Sequence, residues 1–115
     1  MGLQIRSPAA QIKTLSFAHP SAATTKKLPF VLNAKTFIPL NSAASAAANE
    51  HVYECELSGA EKTTGQAWAV GETLYFDPAT GKFTKTAGAL VACGYCGEAM
   101  LSGDTTTGLV VFRGF

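Results

Sequence analysis

The sequence of 115 residues has little of what common enzyme classes and membrane proteins require. It contains only two histidines, His19 and His51, so few side chains can transfer protons near neutral pH. The glycines of segment 93–97 have the wrong spacing for either phosphate-binding glycine motif. No apolar run approaches the roughly 20 residues that a membrane-spanning helix needs. These absences predict a protein that is not an enzyme, has no cofactor and does not enter a membrane.

Acidic residues are absent from positions 1–49, which hold five basic residues and therefore a formal charge of +5. Positions 50–115 hold eight acidic and four basic residues, a formal charge of −4. This division predicts that the first segment contacts an acidic surface of its own chain, of a sister subunit or of another protein. Nucleic acid is not favoured, because the five charges form no cluster and no recognised binding motif. The residues predicted for partner contact are Arg6, Lys13, Lys26, Lys27 and Lys35.

The three cysteines are an odd number, which argues against the disulfide framework of a small secreted protein. Cys93 and Cys96 form a C-x-x-C pair followed by glycine, the pattern of a zinc knuckle, and His51 with Cys55 would complete four ligands. On a regular strand, however, those two residues lie about 13 Å apart at roughly 3.3 Å per residue, too far for one ion unless the strand is bulged. The alternative is that the cysteines are small apolar side chains in a tight sheet.

A β-hairpin is predicted for Gln66–Thr86. In its centre Asp77 can accept a backbone hydrogen bond, Pro78 fixes φ at the second turn position, and Gly81 tolerates positive φ. Aromatic and threonine residues flank this turn, as is typical of half-buried strands. Trp68 and the hairpin aromatics could line a ligand pocket, but such side chains more often form the core of a small β domain.

Other runs along the chain also favour strands. The clearest are His51–Leu57, Ala89–Ala99 and Gly108–Phe115, and the weaker ones are Ile12–Phe17 and Phe30–Leu40. In the first run, strict alternation predicts one shared face, which carries His51, Tyr53, Cys55 and Leu57. The glycines inside the second run predict a bent or closely packed strand. Residues 41–49 are almost pure alanine and serine, and they favour either a helical turn or a mobile connection.

These patterns predict an all-β fold, a small barrel or sandwich of six to eight short antiparallel strands with at most one short helix. The length fits a single domain. Within it, residues 1–49 are expected to form a basic N-terminal arm with weak strands and an Ala/Ser-rich connection. Residues 50–115 are expected to form the β core.

An ordered series of motifs runs through residues 52–115. It comprises an acidic strand at 52–57, a hydrophobic-Gly-acid-x-hydrophobic-Tyr-aromatic-Asp run at 70–77, strands at 81–86 and 93–99, a turn at 102–104 and a closing apolar strand at 110–113. In content and order this series resembles the small capsid cement, or decoration, proteins of bacteriophages. That family usually has apolar residues where Cys93 and Cys96 stand, which weakens the zinc hypothesis.

The resemblance implies a β-rich barrel or sandwich that binds the outside of an assembled phage head and stabilises it, often as a trimer. It further implies the major capsid protein as partner and a place on the virion surface after synthesis in the host cytoplasm. Two other hypotheses stay open. One is a zinc-stabilised β module, such as a phage accessory factor, and the other is a small hydrolase that uses His51 with nearby carboxylates.

Overall fold

The computed structural model describes residues 2–7 and 11–115, and within these ranges the chain forms nine β-strands and no α-helix. The strands pair antiparallel in one curled sheet that forms a half-barrel, which confirms the predicted all-β class. Their bounds are β1 (Gln4–Ile5), β2 (Lys13–Ala18), β3 (Phe30–Leu32), β4 (Lys35–Pro39), β5 (Ala48–Ser58), β6 (Thr73–Asp77), β7 (Lys82–Thr84), β8 (Ala92–Cys96) and β9 (Val110–Arg113).

More strands form in the described residues than the six to eight expected, for two local reasons. The run Phe30–Leu40 forms a hairpin of two strands, because Asn33 and Ala34 turn the chain with φ values of 51° and 63°. Strand β1 is two residues long, too short to leave a pattern in the sequence. The connection at 41–47 contains a turn and no helix, and β5 begins directly after it.

The 11-residue strand β5 is the centre of the sheet. Strands β1 and β2 follow one another along one of its edges, while β4 and β9 share the other edge. From β9 the sheet continues through β8 and β6 to β7. Segments from both halves of the chain therefore pair with the same strand.

The segment 59–63 closes the curl between β7 and the loop before β9. Phe83 donates its N–H to the Glu61 carbonyl at 2.8 Å, and the Thr63 N–H bonds back to the Phe83 carbonyl at 2.9 Å. On the other side the Lys62 N–H donates to the Thr105 carbonyl at 2.9 Å. The core lies inside the curl and consists of Leu3, Ile38, Val52, Cys55, Leu57, Ala60, Trp68, Leu74, Phe76, Phe83, Cys93, Cys96, Val110 and Phe112.

The predicted hairpin is present as β6 and β7. Asp77 accepts a hydrogen bond from the Ala79 N–H at 2.9 Å, and Gly81 adopts a φ of 72°. Trp68 lies upstream of the strands and is buried in the core. Its indole N–H donates to the side-chain oxygen of Gln66 at 3.3 Å. The prediction that this aromatic residue belongs to the core is therefore confirmed.

A β-bulge interrupts β5 at Tyr53. On β2, Lys13 pairs with Glu54 and the next residue, Thr14, pairs with Val52. Tyr53 therefore has no partner on β2, and the extra residue resets the alternation of side chains along β5.

Because of the bulge, an even-numbered position of β5 faces the core before Tyr53, and odd-numbered positions face it afterwards. Val52 and Cys55 lie three residues apart, yet both are core residues, as is Leu57. By alternation, His51 and Tyr53 lie on the opposite face, which we call the outer face. The prediction that all four odd-numbered residues of this run share one face is wrong, because it assumed a regular strand.

Strand β8 is bulged as well, at Cys93. Tyr75 of β6 pairs with Ala92 and Leu74 pairs with Gly94, which leaves Cys93 unpaired and turned into the core. Gly94 has a φ of 141°, and a Cβ at this position would lie 2.1 Å from a backbone oxygen of β9. The bent, closely packed strand that the glycines predicted is confirmed.

Candidate functional site

An aromatic cluster on the outer face of β5 surrounds His51. Its imidazole stacks on Phe17 of β2, with ring centroids 3.9 Å apart and an interplanar angle of 21°. Phe30 of β3 and Phe37 of β4 meet the imidazole edge-on, at centroid distances of 5.4 and 6.1 Å. The cluster therefore joins three strands from the first 40 residues to the central strand.

His51 is fully buried, and neither ring nitrogen has a hydrogen-bond partner in the described part of the chain. Burial lowers the pKa of this imidazole, because a charged ring would lose its hydration. The nearby backbone of Leu15 and the carboxylate of Glu50 act in the opposite direction and raise this pKa, while His19 lowers it further. The ring is neutral at pH 7. Among residues 2–7 and 11–115, no side chain is placed to orient this ring by a hydrogen bond.

The three cysteines are free thiols in the core. Burial raises the pKa of Cys55 and of Cys93 to about 12. Cys96 donates its S–H to the Glu98 carbonyl at 2.8 Å, and burial raises its pKa as well. Because the thiolate is the reactive and metal-binding form, these thiols behave as small apolar side chains at neutral pH.

The residues considered as zinc ligands are not brought together. The bulge at Tyr53 places His51 among the outer aromatic rings, whereas Cys55, Cys93 and Cys96 face the core. Across residues 2–7 and 11–115, no three His, Cys, Asp or Glu side chains are grouped so as to hold a metal ion. The bulge that could have shortened the distance between His51 and Cys55 instead puts them on opposite faces.

The basic residues predicted for partner contact are distributed over the surface. Arg6, Lys13, Lys27 and Lys35 each line a different groove, and Lys26 is exposed in the loop before β3. Of these grooves, the one beside Lys35 has the most strongly apolar lining.

That groove, here called the aromatic groove, lies on the outer face beside the aromatic cluster and has a volume of about 420 Å³. Leu15 and Phe115 remain 51% and 57% exposed although both are large and apolar. The rings of Tyr53 and Phe115 meet edge-on at 5.8 Å. The groove is lined by Leu15, Lys35, Phe37, Tyr53, Gly114 and Phe115.

Basic side chains border the aromatic groove. Lys35 is part of its lining, and the Arg113 guanidinium lies 5.2 Å from the ring centroid of Phe115. Strand pairing places Lys13, Glu54 and Arg113 side by side in a row across three strands. Exposed aromatic side chains flanked by arginine are enriched in protein–protein interfaces. The groove therefore has the chemistry of a protein-binding surface.

A family model for phage cement proteins matches residues 9–112, nearly the whole chain. The chain belongs to the phage cement protein family. Comparison with curated proteins and comparison with solved structures each gave no match. The resemblance read from residues 52–115 is thus confirmed, and the match begins much earlier. It includes β2, β3 and β4, which supply the three phenylalanines of the aromatic cluster.

Membership of this family gives the cement protein a structural role in phages. In the described residues, no helix combines the length and the apolar character needed to cross a bilayer.

Sequence patterns did not point to the aromatic groove of this cement protein. Leu15, Phe37 and Phe115 come from three distant segments and meet only because β2, β4 and β9 all pair with β5. The one available signal was the alternation in Ile12–Phe17, which places Leu15 and Phe17 on the same face of a strand.

Proposed function

We propose that this cement protein binds the outer surface of an assembled phage capsid, contacts the major capsid protein there and stabilises the shell. The family match over residues 9–112 carries this proposal. A protein that binds the assembled shell but not its free subunits stabilises the assembled state by mass action. At a free concentration about 100 times the Kd, the gain is about 2.7 kcal/mol per site.

The aromatic groove is the proposed contact surface. Leu15 and Phe115 offer exposed apolar area that water solvates poorly, and Lys35 and Arg113 supply positive charge beside it. The complementary occupant is an extended capsid segment with an apolar side chain next to an acidic residue. Central apolar anchors of this kind supply most of the binding energy in protein interfaces, while flanking charges set orientation and association rate.

The other basic residues remain proposed contacts. Lys13 lies on β2 beside the groove, whereas Arg6, Lys26 and Lys27 would reach other parts of the capsid or a sister subunit. We also propose a homo-oligomer, a trimer, in which the basic first segment of one copy meets the acidic second segment of the next. The protein would be made in the host cytoplasm and would join the virion surface after the head has assembled.

Co-sedimentation with capsids assembled without the cement protein tests this function. The wild-type chain is expected to sediment with the capsids and to raise the temperature at which they disrupt. Leu15→Asp, which puts a carboxylate into the groove, is expected to weaken binding at least tenfold, a loss of about 1.4 kcal/mol.

Leu101→Asp is the matched control. Leu101 is 73% exposed and lies outside the groove, so the same chemical change there should leave capsid binding intact. If the wild-type chain neither binds nor stabilises capsids, the proposed function is wrong. If binding is present but Leu15→Asp has no more effect than Leu101→Asp, only the assignment of the groove is wrong.

A further inference from the structure

His51 connects the first 40 residues to the central strand through aromatic packing, which is unusual for a polar side chain. The imidazole is surrounded by Phe17, Phe30 and Phe37, is fully buried, and has no hydrogen-bond partner in the described residues at either ring nitrogen. A neutral ring packs here as an aromatic side chain would. A protonated ring has two N–H donors and a positive charge, and these surroundings satisfy neither.

The charged groups on the elements packed against His51 offer little compensation. Strand β3 has no ionisable residue, and β2 and β4 contribute only Lys13 and Lys35, both exposed and both positive. His19, after β2, also disfavours a positive charge on His51, whereas the backbone of Leu15 and the exposed carboxylate of Glu50 favour it, and burial outweighs both. Protonation is therefore most easily accommodated when the imidazole reaches water.

We propose that His51 is an acid-sensitive switch: protonation of its ring releases β2 and the β3–β4 hairpin from the outer face of β5, while strands β6 to β9 stay folded. Release separates Leu15 and Phe37 from Tyr53 and so dismantles the aromatic groove. Loss of capsid contact in acid would follow, and this last consequence rests on the proposed function.

The direction of the pH effect follows from proton linkage. The released state binds a proton with the ordinary histidine pKa of about 6.5, whereas the pKa of the packed ring is lower. Stability of the packed state is therefore complete above about pH 6.5 and is lost as the pH falls toward the lowered pKa. With one proton involved, the released population grows by at most about tenfold per pH unit.

Amide hydrogen exchange on the free chain at pH 7.5 and pH 5.0, corrected for intrinsic exchange rates, tests the switch. We expect exchange in residues 13–18 and 30–38 to rise at pH 5.0 by up to about thirtyfold, the limit that one proton sets over the roughly 1.5 pH units between pH 6.5 and pH 5.0. Residues 73–77 and 110–113 should not change. His51→Phe, which keeps an aromatic ring but cannot be protonated, should abolish the rise.

His19→Gln is the control for the other histidine. His19 accepts hydrogen bonds from the N–H groups of Ser21 and Ala22 through Nδ1, which a glutamine oxygen can replace, so this variant should keep the acid response. Unchanged exchange in the wild-type chain, or an equal rise in His51→Phe, overturns the proposal.

A second measurement covers the case in which His51→Phe does not fold. The imidazole resonances of wild-type His51 should titrate with a midpoint below pH 6.5, together with the loss of the ring-current shifts from Phe17. A midpoint at or above 6.5 with the Phe17 contact retained overturns the switch. Both readouts use the free chain, so their failure leaves the proposed capsid function standing.

Discussion

Replacing Gly94 by alanine is expected to destabilise the cement protein through two penalties at once. The residue has a φ of 141°, where L side chains are strained, at a cost of about 1–2 kcal/mol. The new Cβ would also lie 2.1 Å from the carbonyl oxygen of Val111 on β9, so the paired strands must move apart. Overpacking of this kind costs about 1–3 kcal/mol, which brings the expected loss to about 2–5 kcal/mol.

Two other glycines separate these penalties. Gly81 has a φ of 72° but nothing within 4 Å of an added Cβ, so Gly81→Ala should show the backbone strain alone, about 1 kcal/mol. Gly103 has open space around it and no positive φ, so Gly103→Ala should change stability by less than about 0.5 kcal/mol.

The stability of the three variants is measured by thermal and urea denaturation, followed by the fluorescence of the buried Trp68. Each kcal/mol should lower Tm by about 4 °C in a domain of this size. The expected order of Tm is Gly103→Ala, then Gly81→Ala, then Gly94→Ala well below both. Equal stability of the Gly81 and Gly94 variants would refute the reasoning, because it would mean that β8 and β9 can separate without cost.

Two further predictions concern buried polar and thiol groups. Iodoacetamide at pH 7.5 should leave the cysteines of the native protein unmodified, since burial raises the pKa of Cys55 and Cys93 to about 12. In urea the same reagent should alkylate all three cysteines. Equal labelling rates in the two conditions, measured by mass spectrometry, would contradict this prediction. Lys62→Met should cost about 2–4 kcal/mol in urea denaturation, because the buried Nζ donates to the carbonyls of Thr63 and Gln66. Lys85 also donates to a carbonyl, that of Ala67, and forms an ion pair, but it is exposed, so Lys85→Met should cost less than about 1 kcal/mol. Similar losses in the two variants would contradict the assigned role of Lys62.

Features that depend on neighbouring residues could be predicted from the sequence. The β6–β7 hairpin is one, since Asp77 and Gly81 supply the turn chemistry within five positions. The bent strand β8 is another, because Gly94 marks its bulge. The β3–β4 turn could not be predicted in the same way, because its two positive-φ residues are Asn33 and Ala34 and neither is a glycine.

Features that depend on the register between distant strands could not be predicted. The bulge at Tyr53 exists because Lys13 and Thr14 skip one residue of β5, and no pattern within β5 itself records this. The faces of His51 and Cys55 were therefore assigned wrongly. The aromatic groove was missed for the same reason, since it is assembled from strands that meet only in the folded sheet.

Because Tyr53 has no partner on β2, the alternation of side chains along β5 shifts by one position in the middle of the strand, and the strand can contact two separate apolar regions. Deleting any single residue within 52–54 would restore strict alternation and expose either the aromatic rings or the half-barrel interior to water. We therefore expect related sequences to have no insertions or deletions at positions 52–54.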